Sequence, residues 1–358
     1  MKKVFSIIAF LSTCAFAYAQ DAQQAAADAA AEIAGAPKEE APAPKPKYWT
    51  SSVEVGLGLN QTYFDNWASG GFNNVNFTSS LDAKADYAKK LASWNNRLQM
   101  QYAFLWSEDK EGIIQKSNDV VYFQSKFGYK TGEGSKWSYT ASYDFRSQFS
   151  SGYTYNAPDK TNPDLDTWKK ARILKSGFLS PAYYNLAFGM EWIPNKWFSI
   201  NLAPIAGSIT QVDIAELRKN YGMELKDGFG KTSADYANYA DYQKDSSAVA
   251  HGTAYKSAKM QFGGQLKANL KFTVNDNFTF ESQLTLFSDY LDKPQNMRVN
   301  WDTGIAWQLS KYLKLSANTW VIYDPNVLIA AKDDPEDLAP RTQFKEFLSF
   351  SFTYTFKR

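Results

Sequence analysis

The sequence predicts an all-β fold, a transmembrane antiparallel β-barrel of about 12 strands preceded by a disordered Ala/Pro-rich segment. Three observations carry that prediction. From Trp49 onward, apolar and polar residues alternate with period two in segment after segment, as in a strand whose successive side chains point to opposite faces. Beyond the N-terminus, no apolar run approaches the roughly 18 residues that a membrane-crossing helix needs. Aromatics make up 16% of the chain, with 25 Phe, 22 Tyr and 11 Trp, yet mean hydropathy is −0.46. That pairing is odd for a water-soluble domain. It suits a barrel, in which only alternate residues touch lipid and aromatic girdles mark the interfaces.

The N-terminus supports export. Lys2 and Lys3 form a short positive region, Val4 to Thr13 is apolar, and Ala17-Tyr18-Ala19 places small residues before a cut at Gln20. Residues 1–19 therefore read as a cleavable signal peptide. A competing lipoprotein reading of Leu11-Ser12-Thr13-Cys14 puts bulky Thr13 before the cysteine, and apolar residues continue past it to the better cleavage site. Cleavage removes Cys14, the one cysteine, and with it any disulfide or thiol chemistry. It also removes two lysines and no acid, so the net charge of +2 falls to about zero. No basic face calls for nucleic acid. Residues 20–47 are rich in Ala, Gln and Asp and then in Ala-Pro and Lys-Pro pairs. Such a segment cannot bury a core and is expected to be a disordered periplasmic spacer, followed by the barrel over 48–358.

The strands follow in order. The first sets Val53, Val55, Leu57 and Leu59 against Glu54, Gly56 and Gly58. The second sets Phe77, Leu81, Ala83, Ala85 and Tyr87 against Asp82, Lys84 and Asp86. The third alternates Trp94, Leu98, Met100, Tyr102, Phe104 and Trp106 with Asn95, Arg97, Gln99 and Gln101. Val121 to Tyr129 and Trp137 to Phe145 make the fourth and fifth, Tyr184 to Trp192 the sixth, and Phe198 to Leu202 a short seventh. Met260 to Phe272, Phe278 to Tyr290, Val299 to Leu309 and Leu313 to Tyr323 continue the series. The last, Phe344 to Phe356, alternates aromatic or Leu with Ser and Thr for most of its length.

Twelve is even, as bacterial single-chain barrels require, and the pattern does not exclude ten or fourteen. Connections alternate in length. Short ones fall at 89–93, 131–136, 194–196, 274–277 and 310–312, and long ones at 61–74, 107–116, 149–180, 213–256 and 324–342. Short turns face the periplasm and long loops the exterior, which leaves both termini periplasmic. Trp94, Trp137, Trp192, Trp197 and Trp307 all sit beside short turns, where an interfacial girdle belongs. A soluble β-sandwich would leave far more apolar surface in water than the few hundred Å² usually tolerated. The expected location is the cell outer membrane, with the lipid bilayer and lipopolysaccharide as partners.

The runs Asp65-Asn66-Trp67-Ala68-Ser69-Gly70-Gly71, Phe178-Leu179-Ser180-Pro181-Ala182-Tyr183 and Leu202-Ala203-Pro204-Ile205-Ala206-Gly207 with Thr210 and Val212 resemble an uncharacterised, domain-of-unknown-function family of outer-membrane barrels of the Bacteroidota type. The resemblance spans most of 49–358. It implies fold and location, and no reaction, ligand or catalytic residue. Residues 226–256 look like an added polar, Tyr- and Ala-rich stretch where that family tends to have a compact loop.

Chemistry is sparse. The single histidine, His251, lies in a long loop with no motif around it. Imidazole is the usual base near neutral pH, so the rival to a non-enzymatic barrel is a lipid- or peptide-hydrolysing barrel that uses His251. With no second His and no Cys in the mature chain, neither a transition-metal site nor a cofactor is expected. Asp159, Asp164, Asp166, Asp333, Asp334, Glu336 and Asp337 match no calcium-loop spacing and read as solvated loop acids. The inward faces are more informative. Arg97, Arg146, Lys267 and Arg298 with Lys84, Lys259 and Lys271 confront Asp144, Glu281 and Asp302 with Glu54, Asp82, Asp86, Glu191 and Asp289. A balanced set either cross-links into a seal or lines a narrow channel of weak selectivity. The balance favours the seal, because a strongly selective pore carries one dominant sign. In the first long loop, Asn66, Trp67, Gly70 and Gly71 form a candidate mouth or ligand element, with glycines that permit a sharp fold-back and Trp67 as the plugging or stacking group. Finally, Phe344 to Phe356 resembles the C-terminal strand read by the outer-membrane barrel assembly machinery, although Lys357 and Arg358 follow the terminal aromatic. That strand is expected to pair with the first, where Gly56 and Gly58 leave room inside the seam.

Overall fold

In the computed structural model the alternating segments close on themselves. The structure describes residues 48–62, 74–107, 110, 112–155, 164–275, 277–330 and 337–357. The signal and spacer lie outside them. Twelve antiparallel strands form the barrel. They are β1 (Trp49–Thr62), β2 (Asn74–Lys89), β3 (Ala92–Ser107), β4 (Ile114–Lys130), β5 (Trp137–Ser147), β8 (Ala182–Asn195), β9 (Phe198–Gln211), β10 (Ala258–Asn275), β11 (Phe278–Asp289), β12 (Met297–Gln308), β13 (Leu313–Tyr323) and β16 (Gln343–Lys357). Two small hairpins, β6 (Gly152–Tyr155) with β7 (Arg172–Ser176) and β14 (Leu328–Ala330) with β15 (Leu338–Pro340), lie in the long loops. Each barrel strand pairs with the next in chain order, and β16 closes onto β1 with Ser52 opposite Lys357 and Leu57 opposite Phe352. Closure leaves no sheet edge.

The surface polarity is inverted relative to a protein folded in water. On β16, Leu348, Phe350 and Phe352 are 68, 41 and 65% exposed, while Ser349, Ser351 and Thr353 between them are 8, 7 and 6% exposed. The apolar set faces out and the polar set faces the lumen. An aromatic belt marks the short-turn end. Trp49, Trp94, Trp137, Trp197 and Trp307 are each between 43 and 48% exposed, and they meet in pairs such as Trp49–Trp94 at 5.9 Å and Trp197–Phe272 at 5.2 Å.

Three expectations need correction. The seventh strand does not stop at Leu202 but runs to Gln211. A bulge there, where Ala203 and Ala206 are both buried and Pro204 and Ile205 both face out, shifts the alternation by one residue. Period-two reading loses a strand at such a slip. Glycines 56 and 58 leave no room in the seam, because a Cβ on them would stand 2.5 Å from the Ser80 hydroxyl and 2.3 Å from that of Thr78. They allow β2 side chains to lie flat across β1. Residues 226–256 are not only an added polar, Tyr- and Ala-rich stretch but part of a folded segment, residues 213–256. That segment folds into a cap at the long-loop end, with short helical turns Ala215–Leu217, Lys219–Tyr221 and Ser233–Asp235 and a helix Tyr239–Ala250.

The cap has its own small core of Val212, Leu217 and Met223, with Leu174, Ile214, Tyr221 and Tyr255 packed around it. Arg218 donates to the carbonyls of Val212 (3.1 Å), Asp213 (3.1 Å) and Tyr255 (3.3 Å), tying the cap's entry to its exit. Asp245 accepts the N–H groups of Gly230 (2.9 Å) and Lys231 (3.1 Å) and the Tyr236 hydroxyl. The Tyr236 hydrogen bond and then the two N–H groups hold the Asp245 carboxyl below the usual carboxylate range, and the same bond pushes Tyr236 up to about 12.

Candidate functional site in the barrel lumen

Strand parity builds the site. On each strand, every second side chain enters the lumen, and the inward sets of opposite strands meet. Arg97 on β3 forks onto Asp82 of neighbouring β2, with Nε donating to Oδ1 at 3.0 Å and Nη2 to Oδ2 at 2.6 Å. Its remaining nitrogen, Nη1, donates to Glu281 on β11 at 3.0 Å. The other Glu281 oxygen takes the Lys271 ammonium of β10 at 2.6 Å. In the ring, β3 and β11 are separated by five strands in either direction. The chain Asp82–Arg97–Glu281–Lys271 therefore crosses the full width of the barrel, and its bidentate Arg–carboxylate fork is the strong form of such a contact.

Further layers lie toward the long loops. Tyr122 on β4 donates to Gln283 on β11 at 3.2 Å, and Gln283 donates to Asn269 at 2.8 Å. Lys267 on β10 donates to Asp144 on β5 at 2.6 Å, with both side chains nearly enclosed. The Arg146 guanidinium covers the Tyr122 ring at 5.3 Å and approaches Asp302 on β12 at 3.5 Å. Arg298 stacks on Phe287 at 4.7 Å and donates to Ser208 (2.8 Å) and Gln261 (3.2 Å). Phe287 itself reaches across to Ala187, Ala203 and Ala206, so small residues on β8 and β9 make space for one large ring from β11.

The network does not fill the barrel. Cavities of about 640 Å³ and 420 Å³ flank the Arg97–Glu281 crossing, and smaller ones of about 250 Å³ and 100 Å³ lie beside the further layers. The largest is walled by hydroxyls such as Ser349, Ser351, Thr353 and Thr78, with Glu54 and Lys314 ion-paired at its edge.

Arg97, Asp144, Arg146, Lys267, Glu281, Arg298 and Asp302 all lie on the lumen wall, in three groups of contacts: Arg97 with Glu281, then Lys267 with Asp144 and, through Tyr122, Arg146 and Asp302, and Arg298 with Ser208 and Gln261. Asn66, Trp67, Gly70 and Gly71 lie outside the described residues, as do Asp159, Asp333, Asp334 and Glu336. The reading of the inward faces passed over Tyr122, Tyr183 and Phe287, which enter the lumen although they are aromatic. Parity was the available signal. Phe287 falls in step with Glu281 and Gln283, not with Leu284 and Leu286. His251 lies in the cap, where its Nδ1 is 2.8 Å from the Ser247 carbonyl and 3.4 Å from the Ser247 hydroxyl. A carbonyl only accepts, so Nδ1 must carry the proton and cannot take one from that hydroxyl. Asp164 caps the helix Leu165–Lys170, and Asp337 pairs with Arg341 at 2.6 Å. Among the described residues, no group of His, Cys, Asp and Glu is arranged to hold a metal ion.

A family model described as a protein of unknown function (DUF3078) matches residues 59–153, from the end of β1 into β6. No curated protein matches the chain. Among solved structures, the chain is similar to an outer membrane channel from Pseudomonas putida F1, with 11% identity, 89% of this chain and 99% of that one covered, and a TM-score of 0.36. It is similar to the translocator domain of autotransporter NalP from Neisseria meningitidis, with 9% identity, coverage of 94% and 97%, and a TM-score of 0.34. It is also similar to outer membrane phospholipase A from Escherichia coli, with 9% identity, coverage of 88% and 93%, and a TM-score of 0.30. None of these activities carries over at such distances.

Proposed function

We propose that the chain is an integral outer-membrane β-barrel that works as a narrow, side-chain-constricted passage for small polar solutes. The membrane location is supported by the inverted polarity of the wall and the tryptophan belt at the short-turn end. In that setting the outer face contacts lipid and, in the outer leaflet, lipopolysaccharide. The strand β16 is the element offered to the barrel assembly machinery, and residues 1–19 and 20–47 serve as export signal and periplasmic spacer. The likeness to an outer-membrane family of the Bacteroidota type is carried over the whole barrel on the same footing.

One observation carries the passage reading. Side chains cross the lumen at several levels, Arg97–Glu281 and then Tyr122–Gln283, Lys267–Asp144 and Arg146–Asp302, while polar cavities remain open beside these crossings. A lumen filled to the wall would mark a scaffold, whereas space left beside thin side-chain crossings suits a narrow passage. The mixed signs of the crossings suit small neutral or zwitterionic solutes better than simple ions. Single-channel recording of the purified full-length protein in planar bilayers tests this. Wild type should show small conductance steps, and Arg97→Gln with Glu281→Gln should raise them severalfold. Silence from both proteins would make the barrel a closed scaffold.

A further inference from the structure

We propose that the smallest lumenal chamber, on the loop side of the Arg146–Asp302 layer, is a binding site for a small amphoteric solute carrying a carboxylate and an ammonium group on a short carbon chain. This rests on the passage reading and names the class of solute passed. The chamber holds about 100 Å³. Three of its wall residues present enclosed polar atoms that are hydrogen-bonded to nothing among the described residues. These are Nε2 of Gln265, Nε of Arg298 and Oδ1 of Asp302, the last facing the Arg146 guanidinium at 3.5 Å without a hydrogen bond.

Gln265 is the decisive member. It is only 4% exposed, and it lies in one row with Phe287 and Arg298 across three adjacent strands. Buried polar groups are paired almost without exception, and an open donor is costly. A methionine would fill the same volume without that cost. The amide is therefore placed for something that enters the chamber.

The three open atoms differ in kind, and this sets the chemistry. Gln265 and Arg298 offer N–H donors, and Asp302 offers an acceptor. Asp302 stands four residues beyond Arg298 on β12, roughly 13 Å along a strand and toward the short-turn end. The donor pole is thus nearer the long-loop mouth and the acceptor pole deeper. A simple anion satisfies only the first pole and a simple cation only the second. The wall cations Arg146, Lys267 and Arg298 are matched by Asp144, Asp302 and Asp324, so the chamber has no surplus charge to hold either ion alone. A solute with both groups satisfies all three atoms. One water needs about 10–15 Å³ of such space, so the chamber suits a solute of on the order of six to eight non-hydrogen atoms.

Isothermal calorimetry of the full-length protein in detergent, titrated with 4-aminobutyrate, butyrate or butylammonium, tests the site. The expected result is saturable heat from 4-aminobutyrate, with each single-charge analogue weaker by about tenfold or more. Gln265→Met should weaken 4-aminobutyrate by about tenfold, and Asp302→Asn should abolish its advantage over butyrate. If either variant fails to fold, discrimination among the three probes by wild type decides alone. Absence of saturable heat from 4-aminobutyrate, equal binding of all three probes, or unchanged binding in folded Gln265→Met would overturn the proposal. Calorimetry does not depend on conduction. Binding without bilayer current would sink the passage reading and leave the site standing, and current without binding would sink the site alone.

Discussion

The barrel wall and the cap of residues 213–256 are stabilised on different principles. In the wall, the backbone ladder closes through 360° and side chains sort by parity, apolar outward and polar inward. Nearly every residue does the same job as the one two places away. In the cap there is no period. Three buried side chains, Val212, Leu217 and Met223, with the Arg218 and Asp245 hydrogen bonds, hold four short elements together. The contrast teaches where cooperativity lies. The wall depends on completeness of the ring, and the cap on a few irreplaceable side chains.

Breaking the ring should have the largest effect. Deletion of residues 352–358 removes every partner that β16 gives to β1, from Ser52↔Lys357 to Leu57↔Phe352. Both strand edges would then present unpaired N–H and C=O groups to lipid, each costing several kcal/mol. The truncated chain should not appear as a heat-modifiable band in unheated SDS gels of the outer-membrane fraction, and periplasmic proteases should remove it. A truncated protein that still migrates as a compact barrel would show that β16 is not the closing strand.

That closing strand was legible because its alternation is unbroken from Leu348 to Phe356. Twelve barrel strands could be placed from the sequence for the same reason, and inward parity puts Arg97, Asp82 and Glu281 on the lumen wall. Depth and angle around the ring are what parity cannot supply. Arg97 and Glu281 are 184 positions apart, and only the closed ring shows that their strands are opposite. The β9 extension was lost because Pro204 has no N–H to give the ladder and the bulge beside it slips the period. The cap was not legible at all. Its helix Tyr239–Ala250 has no continuous apolar stripe, and Asp245, its one buried residue, is polar.

An intermediate effect should separate the two regions. Leu217 is 1% exposed at the centre of the cap core. Leu217→Ala should cost about 2–5 kcal/mol, as large-to-small core substitutions do, and the cost should fall on the cap alone. External protease should then cleave within 213–256 in intact cells, while the barrel keeps its heat-modifiable migration. Loss of the barrel band in this variant would mean that wall and cap fold as one unit.

The smallest effect concerns pH. The Asp245 carboxyl is held below its ordinary value by the Tyr236 hydroxyl and then by the N–H groups of Gly230 and Lys231. A group whose pKa is depressed on folding adds stability that is fully present above its unfolded value, near pH 4 for an aspartate. That stability is lost as pH falls through the folded value. Protonation would turn an acceptor of three hydrogen bonds into a group with a proton of its own to place. The cap should therefore loosen below about pH 4 while the barrel, held by its backbone ladder, does not. Pepsin digestion of the reconstituted protein across this range is the direct measurement. Wild type should be cut in the cap only at the acid end, and Asp245→Asn should be cut at higher pH with a flatter profile. Equal pH dependence in the two proteins would assign the acid sensitivity to other carboxylates and remove Asp245 from its place at the centre of the cap's hydrogen bonding.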